Sequence, residues 1–285
     1  MSAPAVPMTR LSWLEIIAEA ARIVESYDTG VTLRQLFYRL VSAGVIPNNR
    51  SAYCQLSSQT AKARRERGFP SLIDRVRAIH RHPTWDSPAA ILNAARQQYR
   101  RDRTEGQTVS LYLGVEKAGI IEQLESWFGD LGVPILALCG YSSQTYVDDV
   151  RADIEAQERP AVLIYAGDFD ASGEDIDRDF LDRVGGFDEI RRIALDAGQV
   201  KKYSLPEMAG KRTDTRAGGF VAKHGRLVQV ELDALDPDVL RGLYQDAIDE
   251  FWDGDAYDAV LRIERTERNS IRVAIETDTE DEDEA

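Results

Sequence analysis

Cysteine is nearly absent from this chain, with only Cys54 and Cys139 among 285 residues. Two thiols so far apart build no disulfide framework and no Cys-rich zinc ribbon, so reduced thiols in a cytoplasmic setting are expected. Histidine is as scarce: His80, His82 and His224 lack zinc-ligand spacing, and His80-Arg81-His82 reads as a surface patch. No apolar run reaches the roughly 18 residues of a membrane-crossing helix. The opening Met1-Ser2-Ala3-Pro4-Ala5-Val6-Pro7 lacks the apolar core of a secretion signal. There is no internal repeat and no specific Gly-rich nucleotide loop. With 43% hydrophobic residues, the length suffices for two globular units.

Charge is abundant and unevenly placed. The chain carries a net −14, yet residues 31–103 hold 14 Lys/Arg against four Asp/Glu. A basic face in an acidic protein would steer and hold a phosphate backbone; a solvated basic helix without a partner is the plainer account. Seven acids in the nine residues 276–284 predict a disordered tail that serves solubility.

The most informative stretch is Asp168-Phe169-Asp170-Ala171-Ser172-Gly173. It follows Ala161-Val162-Leu163-Ile164-Tyr165-Ala166, an apolar run that reads as a buried parallel strand. Two carboxylates thus stand at a strand's carboxyl end, where open α/β sheets bind ligands. Ser110-Leu111-Tyr112-Leu113-Gly114-Val115 reads as another strand, ending in Glu116, and Pro134 to Gly140 as a third unit. Strands and helices alternating over short connections predict an α/β fold with a parallel sheet. If the strands are neighbours, Glu116, Asp168 and Asp170 converge, and oxygen-only ligands suit Mg²⁺ or Mn²⁺. The bland alternative is that Asp170 or Ser172 simply caps the following helix. Glu207, Asp214, Glu231 and Asp233 are further acids for which structural use is expected.

Val115-Glu116-Lys117-Ala118-Gly119 and Gly167-Asp168-Phe169-Asp170-Ala171-Ser172-Gly173 resemble the motifs of Toprim domains. That resemblance implies a Rossmann-like metal-binding domain whose carboxylates hold Mg²⁺ for phosphodiester chemistry. Upstream, Leu33-Arg34-Gln35-Leu36-Phe37-Tyr38-Arg39-Leu40 forms an amphipathic helix ending near Gly44. Arg34 and Tyr38 lie one turn apart beside the apolar stripe. They resemble the active-site helix of the A-type, DNA-cleaving component of topoisomerase VI and of the related meiotic double-strand-break proteins. The resemblance spans roughly residues 28–180. It implies Tyr38 as nucleophile, Arg34 as its catalytic partner and Glu116 in the metal-assisted chemistry. It also implies a homodimer in which tyrosine meets the neighbour's metal site, and a separate ATPase (B-type) subunit for strand passage. Physically, a guanidinium one turn away should favour the phenolate. An aromatic residue beside an apolar stripe is, however, usually core.

After Pro47-Asn48-Asn49 a second, basic helix carries Arg50, Lys62, Arg64, Arg65 and Arg67, the layout of a winged-helix-like module facing duplex DNA. The expected organisation is such a domain over 1–105, with a leading helix at residues 11–26. A Toprim-like domain with a carboxy-terminal extension follows over 106–272, then the acidic tail over 273–285. Strands are expected at 190–195, 200–205 and 228–232, and a helix from Pro237 to Trp252. The basic loop 210–219 could touch DNA. The reading is a Mg²⁺-dependent DNA-cleaving transesterase at the nucleoid. Its alternatives are a hydrolytic Toprim nuclease in which Tyr38 is structural, and a non-catalytic DNA-binding protein.

Overall fold

Short runs of Val, Leu, Ile and Tyr without polar interruption suit strands buried on both faces, and that is where they lie. The computed structural model describes residues 12–28, 30–66, 68–73, 82–138, 142–210 and 213–283, excluding the side chains of 176–177 and 273–283. Its central sheet holds β1 (Ser110–Val115), β2 (Ile135–Ala137), β3 (Ala161–Ala166) and β4 (Glu189–Ala194), all parallel, in the order β2-β1-β3-β4. The α/β class with a parallel sheet is therefore as expected. From β1 the chain passes to β2 on one side and returns to β3 on the other. The space between the carboxyl ends of β1 and β3 is thus the topological switch point.

Helices cover both faces. α1 (Trp13–Glu25), α2 (Leu33–Ser42), α3 (Arg50–Arg65) and α4 (Pro88–Gln98) precede the sheet; α5 (Ile121–Phe128), α6 (Gln144–Ala156) and α7 (Ala171–Val184) join its strands. After β4 come α8 (Ala197–Lys202), β5 (Met208–Ala209), α9 (Ala217–His224), β6 (Val228–Gln229), α10 (Pro237–Asp249) and α11 (Gly254–Asp283). Side chains alternate across each strand. Leu111, Leu113, Val115, Val162, Ile164 and Ala166 face a core shared with α1, α2, α3, α5 and α10. Tyr112, Leu163 and Tyr165 face a second core formed with α6 and α7. The first core runs without interruption from the amino-terminal helices onto the sheet.

Local chemistry sets the helix ends. Thr32 caps α2 and forms a capping box with Gln35, and Gly44, in the left-handed region at φ +69°, follows the helix end. Asn49 caps α3 through its side-chain oxygen. Among the described residues before 106 there is no strand.

Three expectations fail for identifiable reasons. Residues 200–205 are not a strand: Asp196 and Gln199 form a capping box that starts α8. The late strand at 228–232 is curtailed to β6, paired antiparallel with β5, and a single bridge joins Phe169 to Val230. The stretch expected to be a disordered tail continues α11 through Asp283. No Gly or Pro interrupts residues 255–285, and extending a formed helix costs little per residue. Among the described residues no helix is long and apolar enough to cross a membrane.

Candidate active site at the carboxyl ends of β1 and β3

Because β1 and β3 are neighbours with Val115 opposite Ala166, Glu116 and Asp168 emerge side by side. The Glu116 carboxylate accepts the Asp168 N–H at 2.7 Å. Asp168 accepts the Leu232 N–H at 2.7 Å and lies 3.0 Å from the Lys117 ammonium. Asp170 takes the plain role foreseen for it, capping α7 by accepting the Gly173 N–H at 2.7 Å. The three carboxylates therefore reach one edge of the sheet, each with one oxygen accepting a backbone N–H. Among the described residues no group of three or more His, Cys, Asp or Glu side chains is arranged to hold a metal ion. The unfilled N–H groups of the tight β3–α7 turn and of residue 232 engage one oxygen of each member of the expected set Glu116, Asp168 and Asp170.

Sequence reasoning missed what occupies the centre. Lys117 contacts Asp168, Glu231 and Asp233; the last is at 3.6 Å, and the Glu231 contact is the tightest. The Phe169–Val230 bridge sets residue 231 beside the end of β3. From the other side Arg34 reaches Glu231 at 3.0 Å and Asp233 at 3.9 Å. Arg39 bound to Asp236 at 2.5 Å, and Ser42 to the Ala234 carbonyl at 3.2 Å, pin α2 on the same segment. The available signal was a lysine directly after the strand-ending glutamate. A cation at that place needs acids, and Glu231 and Asp233 supply them.

The electrostatics follow from burial. Burial pushes the Asp168 carboxyl up, and Glu116 and Glu231 add to that against the pull of Lys117. Glu116 is likewise raised, first by burial. Burial also raises Glu231, but Lys117 and Arg34 outweigh it and hold the group below the usual carboxylate range. Tyr38 is 9% exposed, with the Arg34 guanidinium carbon 5.7 Å from its ring centre. Arg34 favours the phenolate, as expected of a guanidinium one turn away, and so does Lys117, but burial first and then Glu231 outweigh them and raise the phenol in sum. Arg34 is itself largely neutralised by Glu231 and Asp233. Glu231 of the same chain thus stands beside the phenol, whereas the resemblance places it against a neighbour's site.

The remaining expected residues divide. Arg50 lines a cleft with Arg34 and Tyr38. Lys62, Arg64 and Arg65 are exposed on the last turns of α3, about 20 Å along the axis from Arg50 at 1.5 Å per residue. Arg67, Cys139, His80 and Arg81 lie outside the described residues. Glu207 pairs with Arg226, and Asp214 with Ser172 and Arg216, so both are structural. In the loop 210–219, Arg216 is committed to Asp175 at 2.7 Å.

A Cβ built on Gly173 would stand 2.8 Å from the Asp168 carbonyl oxygen, 3.2 Å from a Glu116 oxygen and 3.3 Å from an Asp170 oxygen. The start of α7 thus packs so closely on the strand ends that only glycine fits. Gly173→Ala should therefore cost about 1–3 kcal/mol by overpacking, read as a lower melting temperature. An unchanged melting temperature would show that the β3–α7 turn relaxes to admit the methyl group. Neither a protein-family model nor a curated protein matches this chain.

Proposed function

We propose that this protein is a Mg²⁺-dependent DNA-cleaving transesterase resembling the A-type component of topoisomerase VI, acting as a homodimer on duplex DNA. One observation carries the reading: Arg34 and Tyr38 of α2 meet, through Glu231 and Lys117, the Glu116–Asp168 edge of the sheet. Residues nearly two hundred positions apart share one charged cluster. A purely structural amphipathic helix has no need of such a cluster, and buried charges are costly to assemble.

Glu116, Asp168 and Asp170 would hold the ion, which when bound neutralises phosphate oxygens and assists the departing one. The chain's own residues do the rest. Tyr38 attacks the phosphorus: a tyrosine O–P bond forms and the P–O3′ bond breaks. The phenol gives up its proton to water and the 3′ oxygen takes one up from water, so the protons balance. Arg34, more than half exposed at its side chain, would move from Glu231 to the phosphate beside Tyr38 and stabilise its charge. The exposed Lys62, Arg64 and Arg65 hold the backbone without reading sequence. Two chains give equivalent cuts on the two strands; strand passage would need a separate ATPase (B-type) subunit.

The test is incubation with duplex DNA and Mg²⁺, then denaturant, then detection of DNA covalently attached to protein. An adduct that forms with Mg²⁺ and vanishes with chelator is expected. Cleaved DNA with wholly protein-free ends overturns the transesterase. That outcome is the second reading, a hydrolytic nuclease, which draws on the burial and raised pKa of Tyr38.

A further inference from the structure

Between α2, the turn 47–49, α3 and β5 lies a cleft of about 400 Å³ whose lining includes Arg34, Phe37, Tyr38, Asn48, Arg50, Tyr53 and Met208. Its size falls in the range of small-ligand pockets, roughly 300–1,000 Å³. We propose that this cleft binds a single nucleotide of the DNA strand next to the attacked phosphate, with its base against Tyr53 and its phosphate against Arg50. The inference rests on the DNA-cleaving reading and deepens it, because the cleft includes Tyr38 itself.

Four features of the lining select this ligand. The charged groups among the lining residues are Arg34 and Arg50, with no carboxylate, so the occupant is anionic. Arg34 is drawn toward Glu231 and Asp233, whereas no ion pair engages Arg50 among the described residues. The aromatic wall is preformed. Phe37 meets Tyr38 and Tyr53 edge-on at 5.3 and 5.2 Å, which fixes both tyrosine rings, and the half-buried Tyr53 keeps ring surface for contact. Finally, the Asn48 side-chain Nδ2 is shielded from solvent yet donates to nothing. A buried amide without an acceptor is costly, and a base carbonyl, ring nitrogen or phosphate oxygen would satisfy it. Cation, aromatic face and amide donor together match a nucleotide: stacking on the π-face tolerates any base, and the guanidinium takes the phosphate. From Arg50 the basic side of α3 leads on to Lys62, Arg64 and Arg65, which gives the rest of the strand a path.

The experiment uses the full chain and a short duplex with single-stranded ends, in which 5-iododeoxyuridine replaces thymidine. Irradiation cross-links the iodinated base to an aromatic or sulfur side chain in contact with it, and mass spectrometry of peptides identifies the residue. The expected product joins the DNA to Tyr53 or Met208. Tyr53→Ala should lose the cross-link and weaken binding roughly tenfold, within the ~1–3 kcal/mol measured for base stacking, while Tyr53→Phe keeps near-normal affinity. Asn48→Asp, of the same shape, puts a negative charge in the cleft and should weaken binding at least as much. Circular dichroism melts check that each variant is folded. Normal DNA binding with cross-links only elsewhere, and with unchanged affinity in Asn48→Asp, overturns the cleft and leaves the cleavage reading standing. Failure of the unchanged chain to bind any DNA overturns both.

Discussion

Tyr38→Phe should abolish covalent capture of DNA, lowering adduct yield by about 10³-fold or more, as expected when a nucleophile is removed. The change deletes one oxygen. The ring keeps its edge-on contact with Phe37 at 5.3 Å, and α2 keeps its anchors through Arg39 and Ser42. Stability should therefore move by no more than about 1 kcal/mol, the net worth of one hydrogen bond. Loss of activity with an unaltered melt is thus assignable to chemistry. In the unchanged chain the adduct yield should rise as pH is raised above neutrality. Burial and Glu231 hold the phenol above its ordinary value, so the phenolate fraction keeps growing throughout that range. Comparable DNA cleavage by Tyr38→Phe would leave the residue a core aromatic beside someone else's chemistry.

That both halves of the cluster could be picked out beforehand has a simple cause. Asp168 and Glu116 were legible because strand ends are announced locally: an apolar run stops, an acid follows, a glycine and a helix begin. Adjacency of β1 and β3 then does the rest. Arg34 and Tyr38 were legible by helical spacing. Glu231 and Asp233 were visible only as stray acids, since nothing near them in sequence says that a single bridge between Phe169 and Val230 will carry them to the sheet edge. The same long-range pairing hid the role of Lys117. Its ammonium meets a carboxylate 114 positions away, and no periodicity encodes that. The missed helix at 197–202 is the converse case, with a local capping box overruling an apolar pattern. The phenol's raised pKa could not be foreseen from spacing either. Two residues one turn apart predict attraction, but which of them is already neutralised is a property of the assembled cluster.

Lys117→Met carries the largest expected effect on stability. Methionine keeps most of the aliphatic stem and removes only the charge. The Lys117 side chain is 18% exposed, and its partners Asp168, Glu231 and Asp233 are 8, 6 and 6% exposed. Without the ammonium, Arg34 still faces Glu231 and Asp233 from the far side, and Asp168 loses its ion pair. Breaking a buried ion pair by deleting one partner typically costs about 3–5 kcal/mol, and chemical denaturation at neutral pH should show a loss of that order. The deficit should shrink under two independent treatments. Lowering the pH protonates the stranded carboxylates; an acid whose folded pKa lies above its unfolded value costs stability at high pH and ceases to once protonated. Added Mg²⁺ offers a replacement positive charge to the same oxygens, so Lys117→Met should gain more stability from it than the unchanged chain does. If acid narrows the deficit but Mg²⁺ does not, the cluster is an ion-pair network with no capacity for a dication. If the variant is as stable as the unchanged chain, Lys117 is not the cation that holds this edge together, and the link between α2 and the strand ends must lie elsewhere.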